Sequence, residues 1–242
     1  MSTDTPEVTF RSDMTVELVK ASASDADVLF AARVSTKGEA SLDDIDGDAK
    51  GSAGLINYLM RDRHGSPFEH NSMTFFVSAP IFVFREFMRH RIASYNEESG
   101  RYRELRPVFY TPGPERNLVQ EGRPGAYDFV PGTSAQHELV DAAVRDSCTR
   151  AYQAYQDMLA AGVAREVARI VLPVATYSSM YVTMNARALM NFLSLRTKRP
   201  GSAYPSFPQR EIEMVADEME AEWAALMPLT HAAFESHGRV AP

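Results

Sequence analysis

Arg89-His90-Arg91, seven further residues, then Ser99 with Arg101 two positions on, is where the sequence concentrates its chemistry. Between Arg85 and Arg106 the chain places Arg85, Arg89, Arg91, Arg101, Arg103 and Arg106 around His90 with no lysine, although its formal net charge is −7. Arginine presents a planar fork that matches phosphate and carboxylate oxygens, and Ser94, Tyr95, Asn96 and Ser99 add neutral hydrogen-bonding groups. A local cation trap in an acidic protein predicts a small polyanion as ligand, a nucleotide above all. The competing reading is compositional: 21 of the 25 basic residues are arginine, and arginine-rich runs also form solvated helix faces or nucleic-acid patches.

Three more segments carry polar groups at informative spacing. Ser66-Pro-Phe-Glu-His70 lies upstream, Arg165-Glu-Val-Ala-Arg169-Ile-Val-Leu-Pro173 downstream, and Asn185-Ala-Arg187 is followed by Asn191 and Arg196. With Arg89, His90, Arg91 and Ser99, these segments resemble the RHR-x7-S, [ST]-P-F-E-H, R-x-x-A-R-x-x-L-P and N-x-R-x3-N-x4-R motifs of the flavin-dependent thymidylate synthases, in order, from about residue 33 to 225.

The resemblance implies a set of roles. FAD is held by Ser66, Arg89, His90, Arg91, Glu97, Asn185, Arg187 and Asn191, with His64 near the same cofactor. The dUMP pocket uses Glu86, Arg89, Glu97, Ser99, Gly100, Arg101, Arg169 and Arg196. Arg196 is the catalytic residue, stabilising uracil deprotonated at N3 so that the ring becomes electron-rich at its reacting carbon. The implied reaction is reductive methylation of dUMP to dTMP, with 5,10-methylenetetrahydrofolate as one-carbon donor, reduced flavin as hydride source, NADPH as the reductant that resets it, and tetrahydrofolate as second product. Sites shared between subunits of a homotetramer are implied as well. Ser99 is expected to bind rather than attack, because no neighbour in sequence is an obvious base for it. The chain departs from the family pattern between Arg196 and Gln209, where Thr197–Pro208 is longer and richer in proline, so a differently shaped loop is expected beside the uracil pocket.

Composition sets the frame for these residues. A length of 242 with 45% hydrophobic residues is enough for a core. No stretch approaches about 18 consecutive apolar residues, and the start of the sequence has Asp4 and Glu7 where a secretion signal would be basic and then apolar, so no membrane span is expected and the reducing cytoplasm is the expected compartment. One cysteine, Cys148, excludes an internal disulfide and any multi-cysteine metal site.

The elements that must position the motifs follow from periodicity. Strands are predicted over Val16–Lys20, Ser72–Ala79 and Ala175–Thr183, with Pro107–Tyr110 extended. Helices are predicted from Ser24 as N-cap to Val34, over Lys50–His64, from Pro80 toward Arg91, and over Ala135–Ala161, Arg165–Val171, Asn185–Thr197, Gln209–Met227 and Leu229–Ser236. Thr36–Gly51, the second half of the RHR signature, Thr111–Thr133 and Lys198–Pro208 read as loops. On the helix from Asn185, eleven residues make about three turns, so Asn185, Leu189, Phe192 and Arg196 share a face, with Arg187 and Asn191 on the adjoining stripe. Glu166 would pair with Arg165 or Arg169 within its own helix. The expected class is α+β: one domain over 1–242 with a small, mostly antiparallel sheet and several long helices, assembling as a homotetramer, with residues 1–12 and 238–242 peripheral.

Two readings from other classes use the same residues. A metal-dependent hydrolase would recruit His64, Glu69, His70 and His90, but these lack the i, i+4 ligand pair of a helical metal site. A nucleic-acid binder would stack bases on Tyr95, Tyr102 and Tyr110, and the net acidity opposes a broad phosphate-tracking surface. Neither metal nor nucleic acid is therefore expected as a partner; dUMP, folate and NADPH are.

Overall fold

The structure, a computed structural model, describes residues 7–38, 49–124 and 126–242. The class is α+β. In chain order the elements are β1 (Thr9–Arg11), β2 (Thr15–Ser22), α1 (Asp25–Lys37), α2 (Ala49–Arg61), β3 (Ser72–Pro80), α3 (Ile81–Phe87), β4 (Ser94–Glu97), β5 (Val108–Tyr110), β6 (Val119–Arg123), β7 (Ala126–Val130), α4 (Ser134–Ala160), α5 (Arg165–Ala168), β8 (Tyr177–Met184), α6 (Ala186–Arg196), α7 (Arg210–Leu226) and α8 (Pro228–Ser236). Single 3-10 turns stand at Ser66–Glu69 and Arg169–Val171. Among the described residues, no helix is long and apolar enough to cross a membrane.

These elements gather into two compact units that interleave along the sequence. One takes residues 7–14, 78–86 and 97–180; the other takes 15–38, 49–77, 87–96 and 181–242. Because each unit is assembled from separated segments, no composition break marks a boundary between them.

In the first unit, β1 lies parallel to β5, with Phe10 opposite Phe109, and β6 and β7 form an antiparallel hairpin. The long α4 starts from a capping box: the Thr133 hydroxyl receives the Gln136 amide while the Gln136 side chain accepts from the Thr133 amide. Its inner face packs Cys148, Tyr152 and Tyr155 against Phe109 and Ala168. Gly162, at φ +82°, follows the helix in the left-handed region, as expected of the residue that ends it.

The second unit holds most of a four-stranded sheet of order β2-β3-β8-β4, whose β3, β8 and β4 end in residues of the first unit. Alternation along β3 buries Met73, Phe75 and Val77. Packed in the same unit are α6, with Leu189, Met190, Phe192 and Leu193 inaccessible, and α7, with Ile212, Val215, Met219 and Trp223 inaccessible. Asp25, at the start of α1, accepts from the amides of Leu229 and Thr230 and from the Thr230 hydroxyl, which caps α8.

Several expectations need correction. The Thr36–Gly51 loop falls on residues 39–48, outside the described residues, and is helical at both ends. Thr111–Thr133 is not a featureless connection, since it contains the β6–β7 hairpin. Of the ends expected to be peripheral, residues 1–6 lie outside the described residues, Thr9–Arg11 pairs with β5, and Arg239 and Ala241 are buried. Ser24 precedes α1, but its hydroxyl bonds Asp27 rather than a backbone amide. Among the described residues the strands form three small sheets rather than one: the four-stranded sheet, a parallel pair and a hairpin.

Candidate active site

The helix predicted to run from Pro80 through the RHR signature stops at Phe87, short of it. Ile81-Phe-Val-Phe84 is a run of β-branched and aromatic residues with little helix preference, and the carbonyl of Phe87 is taken by the His90 amide (3.0 Å) and the Tyr95 hydroxyl (3.1 Å). The same hydroxyl donates to the His90 carbonyl at 2.6 Å. Tyr95 thus clamps a tight turn, and burial pushes its phenol up to about 12. Phe192 of α6 supports this turn, stacked on Phe87 at 4.4 Å between ring centroids and met edge-on by the His90 ring at 5.0 Å.

His90 is the electrostatic centre of this turn. Burial first, and the Arg196 charge second, lower its pKa to about 4, so the ring is neutral near pH 7. Its Nε2 accepts a hydrogen bond from Arg196 Nε at 3.0 Å. On either side, Arg89 and Arg91 are exposed, and among the described residues neither engages a hydrogen-bond or ion-pair partner. Three arginines and an uncharged imidazole are therefore held together with two of the cationic forks unclaimed.

The remaining motif residues of this unit are arranged by α6 and the Ser66–Glu69 turn. Asn185 is the N-cap of α6, its Oδ1 accepting from the Ala188 amide (2.9 Å), while Asn71 accepts from the Ala186 amide (2.7 Å). Arg187 pairs with Glu69 Oε1 at 2.6 Å and donates from Nε to the Pro242 carbonyl. Asn191 returns its amide to the Arg187 carbonyl at 3.1 Å. Gly65 is fixed by close approach: a Cβ there would stand 2.5 Å from Arg187 Nε and 2.8 Å from the Pro242 oxygen. Ser66 is exposed beside it, and His64 stacks on Tyr58 at 5.5 Å. The shared face of α6 exists, with Leu189 and Phe192 buried between Asn185 and Arg196.

The other named residues belong to the first unit. The strand β4 carries Asn96 and Glu97, which the sequence assigned to a loop, and the chain then turns tightly: the amides of Tyr102 and Arg103 both reach the Ser99 carbonyl. Ser99 Oγ accepts from the Arg101 amide at 3.3 Å. A Cβ on buried Gly100 would meet Leu105 at 3.0 Å and Arg169 Cδ at 3.1 Å, so glycine lets the Arg169 side chain cross the turn at contact distance. Burial raises the pKa of Glu97, against a hydrogen bond from Ser178 and the Arg169 charge that lower it. Glu86 closes α3, half-buried. Glu166 bonds Arg101 at 2.9 Å rather than an arginine of its own helix, which corrects the expected intrahelical pair. Glu98 holds Arg103 through Oε2, while its buried Oε1 has no hydrogen-bond partner among the described residues.

The competing readings lose their residues to these contacts. Of the four proposed metal ligands, Glu69 pairs with Arg187 and His90 Nε2 accepts from Arg196, while His64 stacks on Tyr58. Glu220, His231 and Glu235 do lie at metal-ligand spacing, but the Arg239 guanidinium occupies the position between both carboxylates. Tyr95 and Tyr110 are turned inward, which leaves Tyr102 alone as an exposed ring of the three proposed for stacking. Sequence reasoning could not find Ser178, Glu166 or the Arg196 to His90 contact, because each joins positions more than 60 residues apart.

Fold and site together define an α+β protein in which each unit carries a cluster of arginines, Arg89, Arg91, Arg187 and Arg196 in one and Arg101 and Arg169 in the other. The family described as Thymidylate synthase complementing protein matches residues 17–229. A flavin-dependent thymidylate synthase of Streptomyces coelicolor is 72% identical over 99% of this chain and 98% of its own, and that of Tropheryma whipplei is 62% identical over 96% and 97%. A crystal structure of a UMP/dUMP methylase, PolB from Streptomyces cacaoi, bound with 5-Br dUMP, is 58% identical with a TM-score of 0.92, covering 97% of this chain and all of that one. The chain belongs to the flavin-dependent thymidylate synthase family and is an enzyme.

Proposed function

We propose that the chain converts dUMP to dTMP by reductive methylation, taking the carbon from 5,10-methylenetetrahydrofolate and the reducing equivalents from NADPH by way of FAD, with release of tetrahydrofolate. The observation that carries this reading is the RHR turn itself: neutral His90 against Arg196, with Arg89 and Arg91 unclaimed beside it. The names of the relatives, thymidylate synthases at 72% and 62% identity and a UMP/dUMP methylase at 58%, support a uridylate substrate.

The donor set fits FAD. A dinucleotide presents a pyrophosphate, which suits the forks of Arg89, Arg91 and Arg187, and polar ring edges, which suit Ser66, Asn185, Asn191 and the His64 and His90 rings; Glu97 adds a carboxyl whose pKa burial raises. FAD, when bound, supplies the hydride that completes the methyl group. Everything else falls to this chain. Arg169 and Arg101, with the Ser99–Gly100 turn and Glu86, hold the nucleotide. Arg196 meets the developing negative charge of the uracil ring, and His90, neutral near pH 7, fixes its Nε without adding a second positive charge. Positioning and charge stabilisation suffice, so Ser99 binds and does not attack.

One domain working in the cytoplasm as a homotetramer, with sites shared between subunits, completes the proposal. Titrating the apo-protein with FAD while following flavin fluorescence tests the cofactor; Arg89→Ala and Asn191→Ala are expected to weaken binding, and unchanged fluorescence at saturating FAD would remove it. Arg196→Lys keeps the charge and loses the fork, so single-turnover oxidation of prereduced enzyme by dUMP and methylenetetrahydrofolate is expected to slow about a hundredfold with FAD still bound. UMP run alongside dUMP shows whether the ribose is discriminated.

A further inference from the structure

The residue that follows Arg196 is tied into the most densely charged buried region of its unit. Thr197, the C-cap of α6, is 1% exposed, and its hydroxyl donates to the Leu193 carbonyl while accepting from Arg239 Nη2 at 2.8 Å. Arg239 is itself 3% exposed. Its guanidinium grips both oxygens of Glu220 on α7, at 2.7 and 2.9 Å, and contacts Glu235 on α8. Around this fork, Arg199 reaches Asp217 (2.6 Å) and Glu220 (3.5 Å), His231 meets Glu220 at 3.0 Å, and the Lys198 amide donates to Glu213. Neither an ammonium nor a surface arginine could span two helices and a helix cap in this way.

The backbone is bent to make the placement possible. Gly238 at φ +72° and Arg239 at φ +57° stand consecutively in the left-handed region, which a side-chain-bearing residue adopts only where its surroundings enforce it. The Gly238 carbonyl also accepts the Ala203 amide, and Ser206 bonds the Thr197 carbonyl, so the proline-rich stretch after Arg196 is anchored on the same turn.

We propose that Arg239 is a positioning residue for Arg196: by seating Thr197 it fixes the end of α6, and with it the line along which the Arg196 guanidinium meets His90. The proposal rests on the reading of Arg196 as the residue that faces the pyrimidine.

Four variants in FAD-loaded enzyme test it: Arg239→Lys, Thr197→Val, Thr197→Ser and, as reference, Arg196→Gln. Thr197→Val is the informative one, because it removes the hydroxyl without unpairing a buried carboxylate and guards against an Arg239→Lys that does not fold. The first readout is the His90 imidazole titration by NMR, its signal identified by loss in His90→Gln. Withdrawal of Arg196 raises the His90 pKa from about 4, so Thr197→Val and any folded Arg239→Lys are expected to move it in the same direction as Arg196→Gln, and Thr197→Ser to leave it in place. The second readout is single-turnover rate, expected to fall about tenfold in Thr197→Val and to be retained in Thr197→Ser. A folded Thr197→Val whose His90 titrates as in the parent overturns the positioning role, whatever the rates. If instead His90 moves as expected but Arg196→Gln turns over normally, positioning stands and the catalytic reading of Arg196 falls.

Discussion

Ser99 illustrates how a single side chain is decided by what it already touches. Its Oγ accepts the Arg101 amide, and among the described residues no imidazole or carboxylate bonds it, so the hydroxyl shapes the turn and has no base to activate it. Ser99→Ala removes one neutral hydrogen bond, worth about 0.5–1.5 kcal/mol, and single-turnover methylation is expected to fall no more than about tenfold. Complete loss of activity in a folded, flavin-loaded variant would make Ser99 the nucleophile. The residue types at this site were legible because arginine and glycine carry their chemistry in their identity. Partner choice was not: Glu166 sits beside Arg165 and Arg169 in sequence, yet the fold brings Arg101 to it from 65 positions away.

Elements were legible where period and punctuation agreed, and were lost where tertiary contacts overrode propensity. The α6 face and the burial of β3 follow from spacing, and both stand as expected. The RHR turn does not, because the Tyr95 hydroxyl takes the Phe87 and His90 carbonyls from a few residues on and the Phe192 ring stacks on Phe87 from a distant helix, neither of which periodicity registers. In α4 the same reasoning fixes the fate of the cysteine. Cys148 is 2% exposed against Phe109 and Tyr152, and burial raises its pKa, so the thiol is a small hydrophobe. Cys148→Ala is expected to keep turnover within a few-fold while lowering stability by about 1–2 kcal/mol, read from urea unfolding, and iodoacetamide is expected to spare the native protein. Loss of turnover with folding and FAD binding intact would point to thiol chemistry instead.

At the scale of the molecule, interleaving explains why no linker could be read: the chain passes between its two units within β3, α3, β4 and β8 and through the short connection after β1 rather than through a polar spacer. One unit also holds two ionisable groups whose pKa values are both depressed, and they predict how the protein meets acid. Burial would raise the Glu220 pKa, but hydrogen bonds from His231 and Arg239 and the Arg239 and Arg199 charges outweigh it and bring it down to about 2. A depressed carboxylate stabilises the fold above its unfolded value, near 4.5, and that contribution is lost as pH falls toward 2. His90 has its pKa depressed from 6.5 to about 4, so the unfolded chain binds the extra proton first, and stability falls between those values as the solution is acidified. Both slopes have the same sign but occupy successive windows. Urea midpoints measured from pH 7 downward are therefore expected to decline first between about 6.5 and 4 and then more steeply below 4.5; His90→Gln should flatten the upper window alone, and Glu220→Gln the lower one alone. A midpoint that stays level from pH 6.5 to 4 in the parent protein would show that His90 is not held neutral in the fold, and the reading of its Nε2 as the acceptor for Arg196 would fail with it.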